Sequence, residues 1–547
     1  MRGVSFLRRG VLAGLDYSES DMSEATFRDV FLPPFVTGIR AGALSIMSAF
    51  QALEGVPATG NHWLLTDVLR TELGFEGFVV TDYNADGELI NHGFAANISD
   101  AAGIALSAGV DMSMHSGAFR SLPGLLSTGS VSLKRLDEAV RNVLRAKAAM
   151  GLFANPYKTL DPSKEWPKGQ LAKVEEHDAL ARRAARESLV LLKNNNSVLP
   201  LQTCCQRIAV IGWWTNSTDT DAVGVIWGNK SHTVTLLQGL QAVVKSSHLR
   251  VAEGSNAETP IDGGIEEAVA AATWADVVLL TLGESTPMIG EAKSMTDLQI
   301  PAAQQRLAEA VAKVGRPTVV LLKNGRALEL GGAVLQADAI MVTWFLGKMT
   351  GHGIVDVLFG DFSPSGRLPI TFPIKSGQQP LYYNRMSSGR PCVWGHGWNN
   401  CYRDAPNQAL YPFGHGLTYS TIEYGSPVLG SQTMPWYGSL RIWCNVSNTG
   451  DRAVEEVIQL YVHDQVASRV RPLRELKDFK KVLIHPGTTH TVEFKLSRDV
   501  LGFTGAAHTK THGLHTIEPG KFLVWVAPSA AAGKPLEFWL AEPKRLI

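Results

Sequence analysis

The sequence predicts an α/β multidomain chain that closes with a β-sandwich, and three observations carry that prediction. At 547 residues the chain is too long for one domain, and two to four are expected. Residues 20–150 and 207–372 each alternate helical periodicity with short apolar runs, the pattern of strands buried on both faces of a parallel sheet. From about residue 437 the texture changes to short alternating strands separated by turns such as Asn448-Thr449-Gly450, which marks a sandwich of immunoglobulin or fibronectin type.

In order, the first block reads as helix 21–41 interrupted at Pro33-Pro34, strand 44–48, helix 63–73 and strand 78–81, then helix 100–107, strand 109–114 and helix 132–151. Ser132 suits an N-cap and Gly151 a stop. These make three βα units. Residues 152–175 read as a Pro- and Lys-containing linker, and 176–192 as a helix that ends at the turn Asn194-Asn195-Asn196. Strands at 208–211, 277–282, 318–322 and 339–343, with helices such as 303–314 between them, predict a doubly wound α/β domain. A loop-rich stretch follows over 373–425, and the sandwich strands fall at 440–446, 456–462, 489–496 and 521–526. The expected organisation is therefore 1–155, a linker with a helix over 156–200, the α/β domain 201–373, a loop-rich connection 374–430 and the sandwich 431–547.

Composition narrows the function. Lys plus Arg equals Asp plus Glu at 51 each, so nothing draws the chain toward nucleic acid or an anionic membrane, and a neutral partner is expected. Five cysteines do not make a disulfide framework. Cys204 and Cys205 are adjacent; Cys392 and Cys401 could pair across a loop, but the reading favoured is two free thiols. No Cys/His spacing matches a zinc site, and no metal or other cofactor is expected. The apolar run between Arg9 and Asp16 falls short of the ~7–15 residues of an export signal. No run approaches the ~20 apolar residues of a membrane span. The reading is thus a chain with no export signal and no membrane partner, and its location stays unspecified.

Two carboxylates stand where chemistry is done. The apolar run 78–80 reads as a buried strand, and Asp82 follows its end; in barrel folds a carboxylate at the carboxyl end of a strand reads as catalytic. Glu291 lies in the loop after strand 277–282, the side of an open α/β sheet where ligands bind. Glu284, nearer the strand, is its rival. Two carboxylates supplied by two domains suit glycosidic bond hydrolysis, one attacking the anomeric carbon and one protonating the leaving oxygen.

Extended runs sharpen this reading. Ser45-Ile46-Met47-Ser48-Ala49-Phe50, Gly55-Val56-Pro57-Ala58, Trp63-Leu64-Leu65-Thr66-Asp67-Val68-Leu69-Arg70 and residues 74–83 resemble glycoside hydrolase family three, in particular its periplasmic bacterial β-glucosidases. The likeness continues through 105–114, 185–194, Asn324-Gly325-Arg326, Thr343-Trp344-Phe345, 356–369 and 411–419, in order along nearly the whole chain. The resemblance implies a (β/α)8 barrel remnant, an α/β sandwich domain and a fibronectin type III-like domain. It implies Asp82 as nucleophile, and Glu291 as acid/base because it lies just upstream of Asp297-Leu298-Gln299-Ile300-Pro301. It implies a sugar-facing aromatic at Tyr83, where the family often has Trp, and subsite positions at Met47 and Phe50, the latter replacing a common Tyr. Glu284 and Trp344 are further candidate contacts, Trp344 being more readily a core residue than a ligand. The substrate implied is a small oligosaccharide or β-glucoside, cleaved with retention by carboxyls roughly 5–5.5 Å apart, with no metal.

The chain also departs from the family. Only three βα units precede the linker, where a complete barrel has eight. The family's Lys-His-Phe motif and an earlier sugar-binding Asp and Arg are not found, and Met1 to Arg9 fits no pattern. The expectation from this is a barrel whose first five strands lie outside the chain, an open strand edge covered by a homodimer or left poorly ordered, and weak or absent hydrolysis. The alternatives are a non-catalytic remnant that binds carbohydrate or serves in assembly, and a β-xylosidase or arabinosidase of the same mechanism. Family relatives are often periplasmic or secreted.

Overall fold

The computed structural model describes residues 5–6, 11–157, 170–222, 228–393 and 397–543. It divides into two units: Met1–Gln170 with Phe503–Thr516, and Leu171–Gly502 with Ile517–Ile547.

The first unit is a slice of a (β/α)8 barrel. Its sheet runs Ser5–Phe6, Ser45–Ser48, Phe78–Thr81, all parallel, with Ser5 opposite Met47 and Met47 opposite Val80. Alternation along the strands sorts their side chains. Ile46 and Val79 bury against Leu64, Leu65, Val68 and Leu69 of the π-helical segment Trp63–Glu72 and against Ala101, Ala105 and Ala108 of helix Ile98–Ala108. Met47 and Val80 face the opposite side and are half-buried. The helical segments Glu24–Thr26 and Phe27–Phe31 end at Leu32, and Pro33 and Pro34 open a new helix, Pro33–Arg40, a position that needs no amide proton; the prolines mark the interruption. Ser132 caps Leu133–Ala149 through the Arg135 amide, as its position suggests. The expected strand 109–114 contracts to a single parallel bridge, Val80 to Met112, because the Met114 amide goes to the Thr81 hydroxyl instead of a strand neighbour. Ser5–Phe6 lies in the stretch that fitted no pattern and forms the outer strand of the sheet.

In the second unit, the helix read over 176–192 is helix Gln170–Ser188 followed by strand Val190–Asn194, whose Val190, Leu191 and Leu192 are buried. That strand is the antiparallel edge of a six-stranded sheet in the order Val190–Asn194, Ala339–Val342, Thr318–Lys323, Val277–Gly283, Ile208–Ile211, Leu249–Ala252. The other five strands are parallel. Helices cover both faces. Leu236–Gln241 and Thr350–Leu358 pack on one, Gly264–Trp274 and Ala302–Ala312 on the other. Strand Ile208–Ile211 has its next strand in sequence, Leu249–Ala252, on one side and Val277–Gly283 on the other. The chain order therefore reverses between Ile208–Ile211 and Val277–Gly283, the switch point where ligands bind in this class of sheet.

The sandwich belongs to the same unit. Strand Ser439–Asn448 pairs with Thr489–Ser497, setting Leu440 opposite Leu496 and Ile442 opposite Phe494 on the buried face. Strand Glu475–Ile484, absent from the sequence reading, is the outer strand of the second sheet; its exposed lysines hide the apolar signal and suit an edge. Phe503–Thr516 was read as part of the sandwich but groups with the first unit, where the Thr504 amide donates to Asp29 Oδ1 at 2.8 Å. Cys392 and Cys401, read as free thiols, form a disulfide with their Cα atoms 4.7 Å apart. Spacing alone could not tell that the two sulfurs meet. Cys204 and Cys205 are exposed and unpaired with each other. No helix of the described residues is long and apolar enough to cross a membrane, and no cluster among them could hold a metal ion.

Candidate active site

In the first unit, Asp82 leaves the carboxyl end of strand Phe78–Thr81. Its amide donates to Ser48 O at 3.2 Å, continuing the strand pairing by one residue, and Oδ1 accepts the Tyr83 amide at 2.7 Å. The carboxylate is half-buried. Glu88, nearby, has its carboxyl raised chiefly by burial; His92 opposes this and the Asp82 charge adds to it. Tyr83 is 56% exposed and its ring stacks on His115 at 4.2 Å and 15°. The structure therefore brings Tyr83 beside Asp82 with an aromatic pair rather than a single ring. Met47 lies one strand away on the half-buried face, and Phe50 takes Tyr17 edge-on at 5.4 Å.

What supports Asp82 was not singled out in the sequence. Asp111 is buried and accepts the Val79 amide at 2.9 Å, from the strand that delivers Asp82. It is held by Arg70, by Arg135 at 2.9 Å and by Asn142 at 3.2 Å. One carboxylate thus ties the strand to both Trp63–Glu72 and Leu133–Ala149. The signal was an Asp directly after an apolar run, but its two arginines lie 41 and 24 residues away and only folding gathers them.

In the second unit, Glu291 sits on the exposed part of the loop that follows Val277–Gly283, between Gly290 at φ +96° and Ala292 at φ +59°. Glu284 does not share that exposure. It is 2% exposed, pairs with Arg326 at 2.9 Å and accepts the Gly325 amide at 3.0 Å; burial raises its carboxyl, with Gly325 and Arg326 opposing. Trp344 lies just past strand Ala339–Val342 at φ +53° and donates its indole N–H to Ser188 O at 3.0 Å. With Trp214, Asp219 and Lys323 it lines a narrow recess of about 10 Å³, room for a single water. Lys323 is 2% exposed, 3.1 Å from Asp219 Oδ2, and lies over the rings of Trp213 and Phe345 at 4.4 and 4.7 Å. Burial pulls its ammonium down to about 8.

Comparison with known proteins decides the family. Residues 8–146 match the glycosyl hydrolase family 3 N-terminal domain, 189–419 its C-terminal domain and 456–530 a fibronectin type III-like domain. A periplasmic beta-glucosidase of Salmonella typhimurium is 40% identical over 97% of this chain and 72% of its own length. The chain belongs to glycosyl hydrolase family 3. A second family 3 relative, a beta-xylosidase of Formosa agariphila, is 36% identical over 96% of the chain and 72% of its own length. The beta-glucosidase of Listeria innocua solved with glucose superposes with a TM-score of 0.92 at 35% identity, covering 98% of this chain and 73% of that one. The family's architecture of two α/β domains and a fibronectin-like domain is the one described above, and the chain is a β-glycosidase-type glycoside hydrolase.

Proposed function

We propose that this family 3 chain hydrolyses terminal non-reducing β-D-glucosyl residues with retention, Asp82 acting as nucleophile and Glu291 as acid and then base. The observation that carries the proposal is the place of Asp82: a half-buried carboxylate at the carboxyl end of a barrel strand, beside an exposed aromatic pair. Asp82 attacks the anomeric carbon while Glu291 gives its proton to the departing oxygen, leaving a glycosyl ester on Asp82. Glu291 then takes a proton from water, which displaces the ester and restores both carboxyls. The ring of Tyr83, backed by His115, offers a face to the C–H bonds of a pyranose, and Met47 and Phe50 are assigned to the same subsite by the family resemblance. Glucose as the sugar is supported by the Salmonella and Listeria relatives. A xyloside is the second reading, favoured by the 36% identical beta-xylosidase.

Hydrolysis of 4-nitrophenyl β-D-glucopyranoside and β-D-xylopyranoside, with the anomer of the first product followed by NMR, tests this. The β-anomer should appear first, and Asp82→Asn should lower kcat by on the order of 10³-fold or more, because the covalent path is lost. An α-product, or turnover untouched by Asp82→Asn, overturns the assignment.

A further inference from the structure

At the end of strand Thr318–Lys323 the turn 323–326 presents Lys323, Gly325 and Arg326 to the loop that carries Glu291. Lys323 holds Asp219, whose Oδ2 accepts the Thr286 amide at 2.9 Å. Burial works to raise the Asp219 carboxyl, but Thr286 and Lys323 outweigh it and hold it below the usual range. Thr286 Oγ1 also donates to Asp221 O at 2.7 Å. Asn324 Nδ2 bonds Arg326 O at 2.7 Å and closes the turn on itself. Gly325 gives its amide to Glu284 and lies so close to Ile289 that a Cβ would stand 2.9 Å from Ile289 Cδ1. Arg326 pairs with Glu284 and donates Nη2 to Met288 O at 2.6 Å. Every loop residue from Glu284 to Ile289 except Ser285 and Pro287 is thereby held by this turn or through Asp219. The far end of the loop is also tied: the Leu298 amide donates to Ser376 Oγ at 3.1 Å, and Leu298 O accepts the Glu329 amide at 2.9 Å.

We propose that the turn 323–326 is a positioning clamp, with Lys323 and Arg326 as positioning residues that fix the root of the loop and so set where Glu291 can reach. The proposal rests on the reading of Glu291 as acid/base. Ion pairs this buried are not needed for stability alone, since apolar packing serves a core as well or better; what they supply is a fixed geometry. Glu284 and Arg326 take no part in proton transfer. With Gly325, Lys323 and Asp219 they tie down Thr286, Met288 and Ile289, the root from which the exposed segment with Glu291 departs. A displaced acid leaves substrate binding intact and slows only those steps that need the proton, so the cost depends on the leaving group.

The experiment compares Arg326→Lys, Arg326→Gln and Asp219→Asn with the parent chain by two readouts. Hydrogen–deuterium exchange follows the amides of 285–298. Kinetics compare methyl β-D-glucoside, whose leaving group needs a proton, with 2,4-dinitrophenyl β-D-glucoside, whose leaving group does not. Arg326→Gln and Asp219→Asn should raise exchange in 285–298 by about tenfold or more. They should lower kcat/KM for the methyl glucoside by about 10–100-fold while changing the dinitrophenyl substrate less than about threefold. Arg326→Lys should fall between them and the parent, because it keeps the charge toward Glu284 and loses the arm to Met288. Asp219→Asn keeps the test alive if Arg326→Gln fails to fold. Unchanged exchange in 285–298, or equal losses on both substrates, overturns the clamp. Glu291→Gln run in parallel separates the two ideas: if it shows no leaving-group dependence, the role of Glu291 falls, while the exchange data still decide whether the turn holds the loop.

Discussion

Asp111 shows how a single residue can hold a site together without touching it. Its carboxylate is fully buried between two guanidinium groups and the Val79 amide. Replacing it by Ala leaves Arg70 and Arg135 facing each other without their counter-charge. Asp111→Ala should therefore cost about 3–5 kcal/mol in urea unfolding, and a loss below ~1 kcal/mol would show the pair to be dispensable. Lys323 makes a prediction of a different sign. Its folded-state value is about 8 against 10.5 for the free side chain. Between those two values the unfolded chain binds more protons than the folded one, so this group's contribution to stability rises with pH across the window. Below it, both states are protonated and the full cost of burying the cation is present. The parent should thus gain on Lys323→Met in unfolding free energy as pH rises from about 8 to 10.5, read by denaturant titration at a series of pH values. A gain on lowering pH would refute it.

At the scale of elements, strands with buried, unbroken apolar runs were legible, and those without were not. Ile208–Ile211 matches its sequence reading residue for residue, because a four-residue run of Ile, Ala and Val between turn signals has few other fates. Val190–Asn194 reads as helix from sequence because an Ala- and Leu-rich stretch carries no boundary that periodicity can see; pairing with Ala339–Val342 decides it. The loop bearing Glu291 depends on Gly283, which lies at φ +126° with a virtual Cβ directed into the Lys323 carbonyl. Gly283→Ala should lower stability by about 2 kcal/mol or more, from strain and from the parted strands. It should also raise the KM or lower the kcat of any glucoside whose leaving group needs protonation. Thermal melts and steady-state kinetics check this, and a variant as stable as the parent would exclude the close approach.

On the scale of the whole molecule, the first unit leaves apolar side chains exposed. Met112 and Met114 are 45% and 43% exposed, and Ser5–Phe6 has a strand neighbour on one side only among the described residues. Exposed apolar side chains at one end of the sheet and an open strand edge at the other both favour association. The chain should show a concentration-dependent rise in sedimentation coefficient, and a single monomer species at all concentrations would contradict that. The sequence by itself determined the fold class, the family and the two carboxylates on which the proposed function rests, because these are written in contiguous runs: an apolar strand followed by Asp82, a loop with Glu291 ahead of Asp297-Leu298. Only the tertiary structure decided which groups support them. The grip of Arg70 and Arg135 on Asp111, the burial of Glu284 against Arg326, the hold of Lys323 on Asp219, the Tyr83–His115 stack and the Cys392–Cys401 bridge each join residues that local sequence leaves apart. Hydrophobic periodicity records which face of an element is buried, but charge pairing and ring stacking depend on distances across the fold, and no pattern along the chain encodes those.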